Sequence, residues 1–338
     1  MTMVLDRIPG QDQAITFLKQ AVGRPHHAYL LAGPEGSGKQ LGARAFAAAL
    51  LCSDGGCGEC RACSLALADR HPNVFIVEPE GRDIHVDTVR SEVWHPAYRT
   101  APEPGRKVFL IREADRLNPS AADVLLKVLE EPPADAVIVL LSARPDELPE
   151  TVVSRCHVVT FLPLPEPFVV RTLEGEGVAS ERALLAARLA GGNLGRARRL
   201  TKEGGLDFRD AALQALRDAA TGPAGAIGAA EVVLAASAAY RKRLKERHHR
   251  QERRAERDFI DWVLLAASSI LRDRIVGASG GDVSLRINVD LELPARPDAA
   301  AAARSLGAVE EARAALADET NLNPKLVLEQ AFLRISGG

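Results

Sequence analysis

The sequence predicts an α/β protein built on a parallel sheet, followed by a mainly helical region. Five short apolar runs are separated by helical segments, as expected for strands that are buried on both faces of a parallel sheet. These runs span residues 28–32, 73–78, 106–113, 136–142 and 157–161. Beyond the proline-rich segment 162–167, strand patterns almost disappear and helical patterns rich in alanine and leucine follow.

Composition sets broad limits on the protein. The chain has 338 residues, of which 46% are hydrophobic and 26% charged, and its net charge is -2. These values suit a globular protein of two or three domains and give no global field that would demand nucleic acid. We find no apolar run of membrane-spanning length and no signal-peptide pattern, so we expect a cytoplasmic protein with no membrane partner and without disulfides.

A glycine-rich turn joins the first strand to a helical pattern at residues 40–51. It has the G-x-x-x-x-G-K frame of a phosphate-binding loop, in which backbone N–H groups, a helix N-terminus and a lysine surround phosphate. The predicted nucleotide contacts are Gly33, Pro34, Gly36, Ser37, Gly38, Lys39 and Gln40. The last position departs from the frame, because Gln40 stands where a Ser or Thr hydroxyl would hold magnesium.

The end of the third strand carries a second departure. Nucleotide hydrolases of this kind have Asp-Glu there, with the Asp supporting magnesium and the Glu orienting the attacking water. In this chain the two positions are Arg112 and Glu113. We interpret Asp115, two residues further on, as a solvated acid or a helix cap. The loop is therefore predicted to bind ATP or ADP at most, with little or no hydrolysis.

Four of the five cysteines lie within twelve residues. They are Cys52, Cys57, Cys60 and Cys63, with C-x4-C-x2-C-x2-C spacing and glycines between them. Four thiolates on a turn can bind zinc tetrahedrally, and such a closed site would be structural. An iron–sulfur cluster and a reduced loop with incidental thiols are the alternatives.

Several motifs taken together resemble a known family. They are His27-Ala-Tyr-Leu, the phosphate-loop frame, the cysteine insert, Leu125-Leu-Lys-Val-Leu-Glu-Glu-Pro-Pro133 and Ser154-Arg-Cys156. In this order they resemble subunits of the bacterial DNA polymerase III clamp loader, an AAA+ assembly that places a ring-shaped sliding clamp on primed DNA. The resemblance implies an AAA+-type α/β domain at 1–162 with a zinc-binding insert at 52–63, a helical lid at 163–206 and an all-α collar domain at 207–338.

Within this family the departures favour the delta-prime type of subunit over the ATP-hydrolysing gamma/tau motor. Besides Gln40 and Arg112, Gly195 falls where the motor's nucleotide-sensing arginine would lie, and Arg196 comes one residue later. The resemblance implies a hetero-oligomer with motor and delta subunits, and contact with the clamp and DNA through that complex. The chain itself would have no significant ATPase or polymerase activity.

Arg155 takes the leading role in this interpretation. The resemblance implies that the arginine of Ser-Arg-Cys acts in trans, on ATP bound by the neighbouring subunit. A guanidinium beside the γ-phosphate stabilises the charge that develops in the transition state. A surface salt bridge is the alternative for Arg155, and Cys156 is interpreted as a small buried residue rather than a nucleophile.

Two other functions stay open from the sequence. The chain could be an active motor in which Glu113 suffices, or a DNA-binding module that uses the basic run 241–257. For that run we favour a solvated helix end or a helix–helix connection, because no aromatic residues are placed to stack on bases.

Overall fold

The computed structural model describes residues 3–79, 81–202, 207–245, 252–292, 298–317 and 322–337. The chain folds into two compact units. The N-terminal unit comprises Met1–Val169 together with Gly191–Leu194, and the second unit comprises Val170–Ala190 together with Gly195–Gly338. All the predicted site residues lie in the N-terminal unit.

A five-stranded parallel sheet forms the centre of the N-terminal unit. Its strands are β1 (Ala28–Ala32), β2 (Val74–Val77), β3 (Lys107–Ile111), β4 (Ala136–Ser142) and β5 (His157–Thr160). Their order across the sheet is β2-β3-β4-β1-β5, and each neighbouring pair is parallel. The predicted α/β fold class is confirmed, and a strand is present in each of the five predicted runs.

Helices cover both faces of this sheet. Strands β1, β3 and β4 are buried at every position. Because side chains alternate along a strand, Leu31 shares one core with Phe46, and Leu30 shares the other with Leu125. The helices of the unit are α1 (Asp12–Gly23), α2 (Lys39–Leu51), α3 (Arg61–Leu67), α4 (Val86–Val89), α5 (His95–Ala97), α6 (Pro119–Glu130) and α7 (Glu150–Val153), with a π-helical turn at Arg90–Trp94 between α4 and α5.

Local signals set the ends of α6. The Asn118 side chain accepts a hydrogen bond from the backbone N–H of Ala121 at 2.8 Å, and Pro119 occupies the first turn, where its missing N–H costs nothing. The helix stops at Glu130, just before the two prolines of the motif.

The remaining helices are α8 (Glu166–Gly175), α9 (Ser180–Ala190), α10 (Leu194–Lys202), α11 (Asp207–Ala219), α12 (Pro223–Lys245), α13 (Glu252–Ala278), α14 (Ala299–Ala317) and α15 (Pro324–Ser336). Within the second unit, α11, α12, α13, α14 and α15 pack against one another as a bundle. The helical character predicted for this region is confirmed. Its division into a lid and a collar remains a prediction.

The helix α12 has two features that bear on the sequence interpretation. Its segment Pro223–Lys242 is long and apolar enough to cross a membrane by length and composition, but core helices of globular bundles meet the same criterion, and α12 packs against α11, α13 and α15. The basic run 241–257 spans the end of α12 and the start of α13, and residues 246–251 lie outside the described part of the chain. At its edges Arg241 pairs with Glu256 at 2.9 Å.

The buried side chain of Lys107, at the start of β3, binds backbone carbonyl groups at the C-terminal end of α5. Lys107 is only 2% exposed, and its ammonium donates hydrogen bonds to the backbone oxygens of Ala97 and Arg99, both at 2.6 Å. It also lies 3.3 Å from a carboxylate oxygen of Asp135. Carbonyls at a helix C-terminus have no partner within the helix, and a cation there satisfies them and suits the helix dipole.

We predict that Lys107→Met lowers the free energy of unfolding by about 1–3 kcal/mol, because the carbonyls lose their donor while apolar packing is retained. Urea denaturation of the full chain measures the change. Lys127→Met, at an exposed position of α6, is the matched control and should change stability by less than about 0.5 kcal/mol. Equal losses in both variants would contradict this role of Lys107.

Candidate functional site

The phosphate loop follows β1 directly, and its glycines are required by its backbone. Gly33, Gly36 and Gly38 have φ values of 150°, 72° and 95°. A Cβ on Gly33 would lie 2.0 Å from the carbonyl oxygen of Phe161, and one on Gly36 would lie 2.0 Å from the side-chain amide of Asn193. The loop therefore has room for no side chain at either position, and Gly38 leads directly into α2.

Lys39 is folded against this loop. Its ammonium donates to the backbone oxygens of Gly33 at 2.5 Å and Pro34 at 2.8 Å, and the residue is 9% exposed. Burial lowers the pKa of Lys39, and the negative charges of Glu35 and Asp115 offset part of that effect. The lysine is thus held within the loop, at the position from which it could contact phosphate.

Gln40 and Arg112, the two residues that differ from the pattern of ATP-hydrolysing subunits, contact each other. With its amide oxygen facing Arg112, Gln40 accepts hydrogen bonds from the Arg112 Nε at 3.0 Å and Nη1 at 3.2 Å. Gln40 lies in the first turn of α2 and Arg112 directly follows β3. The place where a hydroxyl and a carboxylate would hold a metal ion is therefore taken by an amide and a guanidinium bound to one another.

Acidic side chains balance the charge of Arg112. Its Nη2 lies 2.6 Å from a carboxylate oxygen of Asp69, its Nη1 pairs with Glu78, and its side chain is 13% exposed. Asp69 also accepts from the Nε of Arg44 at 2.9 Å. Burial opposes ionisation of Asp69, but hydrogen bonds from both arginines outweigh it and lower the pKa of that carboxyl.

The side chain of Glu113 is exposed, whereas that of Asp115 is buried although the sequence predicted a solvated acid or a helix cap. Glu113, at φ 49°, is 58% exposed and pairs with Arg116 at 2.9 Å. Asp115 is 4% exposed and accepts hydrogen bonds from the Ser142 hydroxyl at 2.7 Å and the Ala143 N–H at 3.3 Å. The interpretation of Asp115 as a solvated acid or helix cap was wrong, because the turn after β3 directs it inward toward the end of β4.

Sequence reasoning missed two further groups that hold the loop. The side-chain amide of Gln11 donates to the backbone oxygens of Ser37 at 2.9 Å and Leu162 at 2.6 Å, and it accepts from the Leu162 N–H at 3.0 Å. Asn193 packs on Gly36. Both contacts join distant parts of the chain, and no local pattern signals them.

Arg155 lies at the other edge of the sheet, between α7 and β5. Its Nη2 donates to the Glu130 carboxylate at 2.7 Å and its Nη1 to the Thr151 backbone oxygen at 2.9 Å. The guanidinium borders an open cavity of about 610 Å³. The other lining residues are His26, His27, Leu129, Glu130, Ser154, Cys156 and His157.

Three histidines that the sequence analysis did not group line this cavity. The His26 ring centroid lies 4.0 Å from that of His27 and 4.2 Å from that of His157. Burial lowers the pKa of His27, and the two neighbouring rings lower it further. Cys156 is half-buried, and burial raises the pKa of its thiol to about 12, which agrees with a packing role rather than a nucleophilic one.

The four cysteines of the insert converge. The Sγ atoms of Cys52, Cys57, Cys60 and Cys63 all lie within 4.8 Å of one another, and Cys52 is 3.8 Å from Cys57 and 3.7 Å from Cys60. Backbone N–H groups of Cys60 and Cys63 donate to the sulfurs of Cys57 and Cys60, each at 3.4 Å. Sulfurs around a tetrahedral ion with bonds of about 2.3 Å are about 3.8 Å apart, so this cluster could hold a metal ion.

The sheet order, with a phosphate-loop sequence after the first strand and the altered positions after the third, gives the N-terminal unit an AAA+-type α/β fold. Residues 10–165 match the family described as "DNA polymerase III, delta subunit". This match covers a little under half of the chain.

The names of curated relatives agree with this family match. The DNA polymerase III subunit delta' of Pseudomonas aeruginosa is 43% identical over 53% of this chain and 56% of its own length. The subunit delta' of Escherichia coli is 38% identical over 57% of this chain and 60% of its own length. The match thus spans a little over half the length of these relatives.

Other similar proteins have gamma/tau or gamma in their names. The subunit gamma/tau of Mycobacterium tuberculosis is 32% identical over 55% of this chain and 34% of its own length. The solved structure of a gamma subunit-related protein from Thermotoga maritima is 17% identical, covers 95% of this chain and 98% of that chain, and has a TM-score of 0.47.

We predict that Asp69→Asn destabilises the chain most at neutral pH. The folded-state pKa of Asp69 is lowered, so its stabilising effect is fully present above the unfolded-state pKa and is lost as pH falls through the folded value. The difference in unfolding free energy between wild type and variant should therefore shrink below about pH 4. Urea titrations at a series of pH values measure it.

Asp87→Asn is the control, because its carboxylate is 89% exposed and pairs with the neighbouring Arg90, 55% exposed, on the same helical segment. It should change stability little at any pH. A deficit in Asp69→Asn that grows on acidification would rule out the proposed ion-pair network.

Proposed function

We propose that this chain is a delta-prime-type subunit of a bacterial DNA polymerase III clamp loader. It packs against an ATP-hydrolysing gamma/tau motor subunit, supplies Arg155 to the ATP site of that neighbour, and with the delta subunit helps place the sliding clamp on primed DNA. The family match and the names of the relatives support this assignment. The cellular site of action would be the cytoplasm.

The position of Arg155 carries the proposal. The phosphate loop follows the carboxyl end of β1, whereas Arg155 precedes the amino end of β5, and these two strands are parallel neighbours. The four residues of β5 alone separate the two edges by about 13 Å along the strand. Arg155 therefore cannot reach phosphate on its own loop, and an arginine of this kind serves ATP bound by another chain.

The chain's own loop lacks the groups that hydrolysis needs. The magnesium ion implied by the fold does not fit, since Arg112 puts a positive charge where a carboxylate would bind the metal and Gln40 is engaged with it. Glu113 is turned to solvent and paired with Arg116. ATP or ADP could still be held by Lys39 and the backbone N–H groups, without productive turnover.

The cysteine cluster is proposed to hold structural zinc. Four sulfur ligands complete a tetrahedron, so no position is left for a substrate. Burial opposes ionisation of Cys52, but hydrogen bonds from the N–H groups of Cys57, Gly56 and Asp54 outweigh it and lower the pKa of its thiol, whereas burial and the neighbouring sulfurs raise the pKa of Cys63. A bound cation would favour the thiolate form of all four sulfurs. The ion would link the end of α2 to the start of α3.

Residues 163–206 are proposed as the lid and 207–338 as the collar through which the subunits assemble.

An active motor is the second candidate function, because the chain shares 32% identity with a gamma/tau subunit. That function requires metal-dependent turnover by this chain alone. A separate DNA-binding role for 241–257 rests on the sequence only.

We predict that the purified chain contains one zinc ion and that Cys60→Ser loses it, with a fall in melting temperature, because a structural zinc site contributes to folding. Metal analysis by mass spectrometry and thermal melting measure these effects. Cys156→Ser is the matched control, since Cys156 lies outside the cluster and should leave zinc content unchanged. Full zinc occupancy in Cys60→Ser, or iron in the wild type, would refute the assignment.

We predict that this chain hydrolyses no ATP alone and stimulates turnover when mixed with motor and delta subunits. Arg155→Ala should reduce turnover at the neighbouring site by on the order of 10³-fold, because the transition-state charge loses its guanidinium. Steady-state ATP turnover with clamp and primed DNA measures the effect, and binding to the motor subunit checks assembly.

Arg90→Ala is the control for this experiment, because Arg90 is 55% exposed and lies away from the cavity beside Arg155. It should stimulate like wild type. Robust turnover by the isolated chain that Lys39→Ala abolishes would instead identify a motor, and undiminished stimulation by Arg155→Ala would reject the trans role.

A further inference from the structure

The phosphate loop retains its anion-binding features although its metal-binding positions have changed. Three loop glycines take positive φ values, and the first turn of α2 begins at Lys39. The Ser37 hydroxyl is buried, at 1% residue exposure, and has no hydrogen-bond partner among the described residues. A buried polar atom of this kind is costly unless a ligand or water satisfies it.

Arg112, at one of the two changed positions, supplies a positive charge. Arg112 contacts Gln40, the residue that directly follows Lys39, so a guanidinium lies beside the first turn of α2. In related nucleotide sites a magnesium ion occupies the corresponding place and neutralises the phosphates. A guanidinium has five N–H donors in a planar fork that matches phosphate oxygens, and it stays charged at all relevant pH values.

We propose that this loop binds the phosphates of a nucleoside di- or triphosphate without a divalent cation, with Arg112 in the role of the metal ion. Gln40 holds the guanidinium beside the first turn of α2, and Lys39 exchanges its two carbonyl partners for phosphate oxygens. This inference goes beyond the trans-acting function and does not depend on it, because Arg155 lies at the opposite edge of the sheet.

The surrounding charges fit this role. Two guanidinium groups, of Arg44 and Arg112, share the carboxylate of Asp69, and Glu78 adds a second carboxylate to Arg112. The four groups sum to zero charge, so the network is stable without phosphate. Glu78 is 56% exposed and its ion pair is weak in water, so phosphate can compete for the same guanidinium.

The network also opposes magnesium. A divalent cation at this position would meet the guanidinium at close range, and Gln40 offers it only an amide oxygen that Arg112 already occupies. Added magnesium should therefore give no gain in affinity. In a conventional loop the metal bridges the phosphates, and its removal weakens binding.

Isothermal titration of the full, metal-analysed chain with ADP, and separately with ATP, tests the proposal in EDTA and in magnesium. Wild type should bind each nucleotide with dissociation constants that agree within about twofold in the two buffers. Lys39→Ala and Arg112→Gln should each weaken binding in EDTA by about tenfold or more, and Arg112→Lys should weaken it less. The double variant Gln40→Thr with Arg112→Asp should bind better in magnesium than in EDTA.

Arg90→Ala, an exposed arginine variant outside the loop, should bind as wild type does. Circular dichroism of every variant separates loss of binding from loss of fold, and Arg112→Lys retains the charge if Arg112→Gln unfolds. No binding of either nucleotide at millimolar concentration, or wild-type affinity that rises about tenfold with magnesium, would overturn the proposal. Neither result would alter stimulation of a neighbour through Arg155.

Discussion

The N-terminal unit depends on the backbone pairing of β1, which is flanked by β4 and β5 and buried at every position. Its amide and carbonyl groups have no access to water, so they must pair with both neighbours in a fixed register. Ala32 is thereby held beside Ser142 and Thr160. The phosphate loop starts from this fixed point, and the residues that follow β3, β4 and β5 are brought to the same edge.

At that edge the departures from a hydrolytic site are coupled. A buried guanidinium is costly unless its hydrogen bonds are satisfied, and Arg112 is satisfied by Gln40, Asp69 and Glu78 together. An Asp at position 112 would remove a guanidinium partner from Asp69 and Glu78, and a Thr at position 40 would leave Arg112 one acceptor short. Gln40 and Arg112 therefore depend on each other, and a change of either residue alone would disturb the hydrogen bonds of the other.

The sequence predicted what depends on local pattern. Buried strands, the glycine loop and the four close cysteines each have a signature within a dozen residues, and the structure has them where they were predicted. The environment of Asp115 was predicted wrongly, because the turn after β3 decides its direction and no periodicity reports that turn. The contacts of Gln11 with Leu162 and of Asn193 with Gly36 link positions about 150 residues apart along the chain, which only the folded sheet brings together.

The parallel topology also places the phosphate loop and Arg155 at opposite edges of the sheet. Residues after the strands form one edge, and residues before them form the other, where Arg155 lies with Glu130 and the three histidines. The packed strands join the two edges, and so does α6, which runs from the segment after β3 to Glu130, the carboxylate partner of Arg155. Gln40 and Arg112 lie at the first edge and Arg155 at the second, so neither set of side chains contacts the other in the described hydrogen bonds and ion pairs. This separation suits the proposed function, in which Arg155 would act on a neighbour's nucleotide while the chain's own loop would perform no hydrolysis.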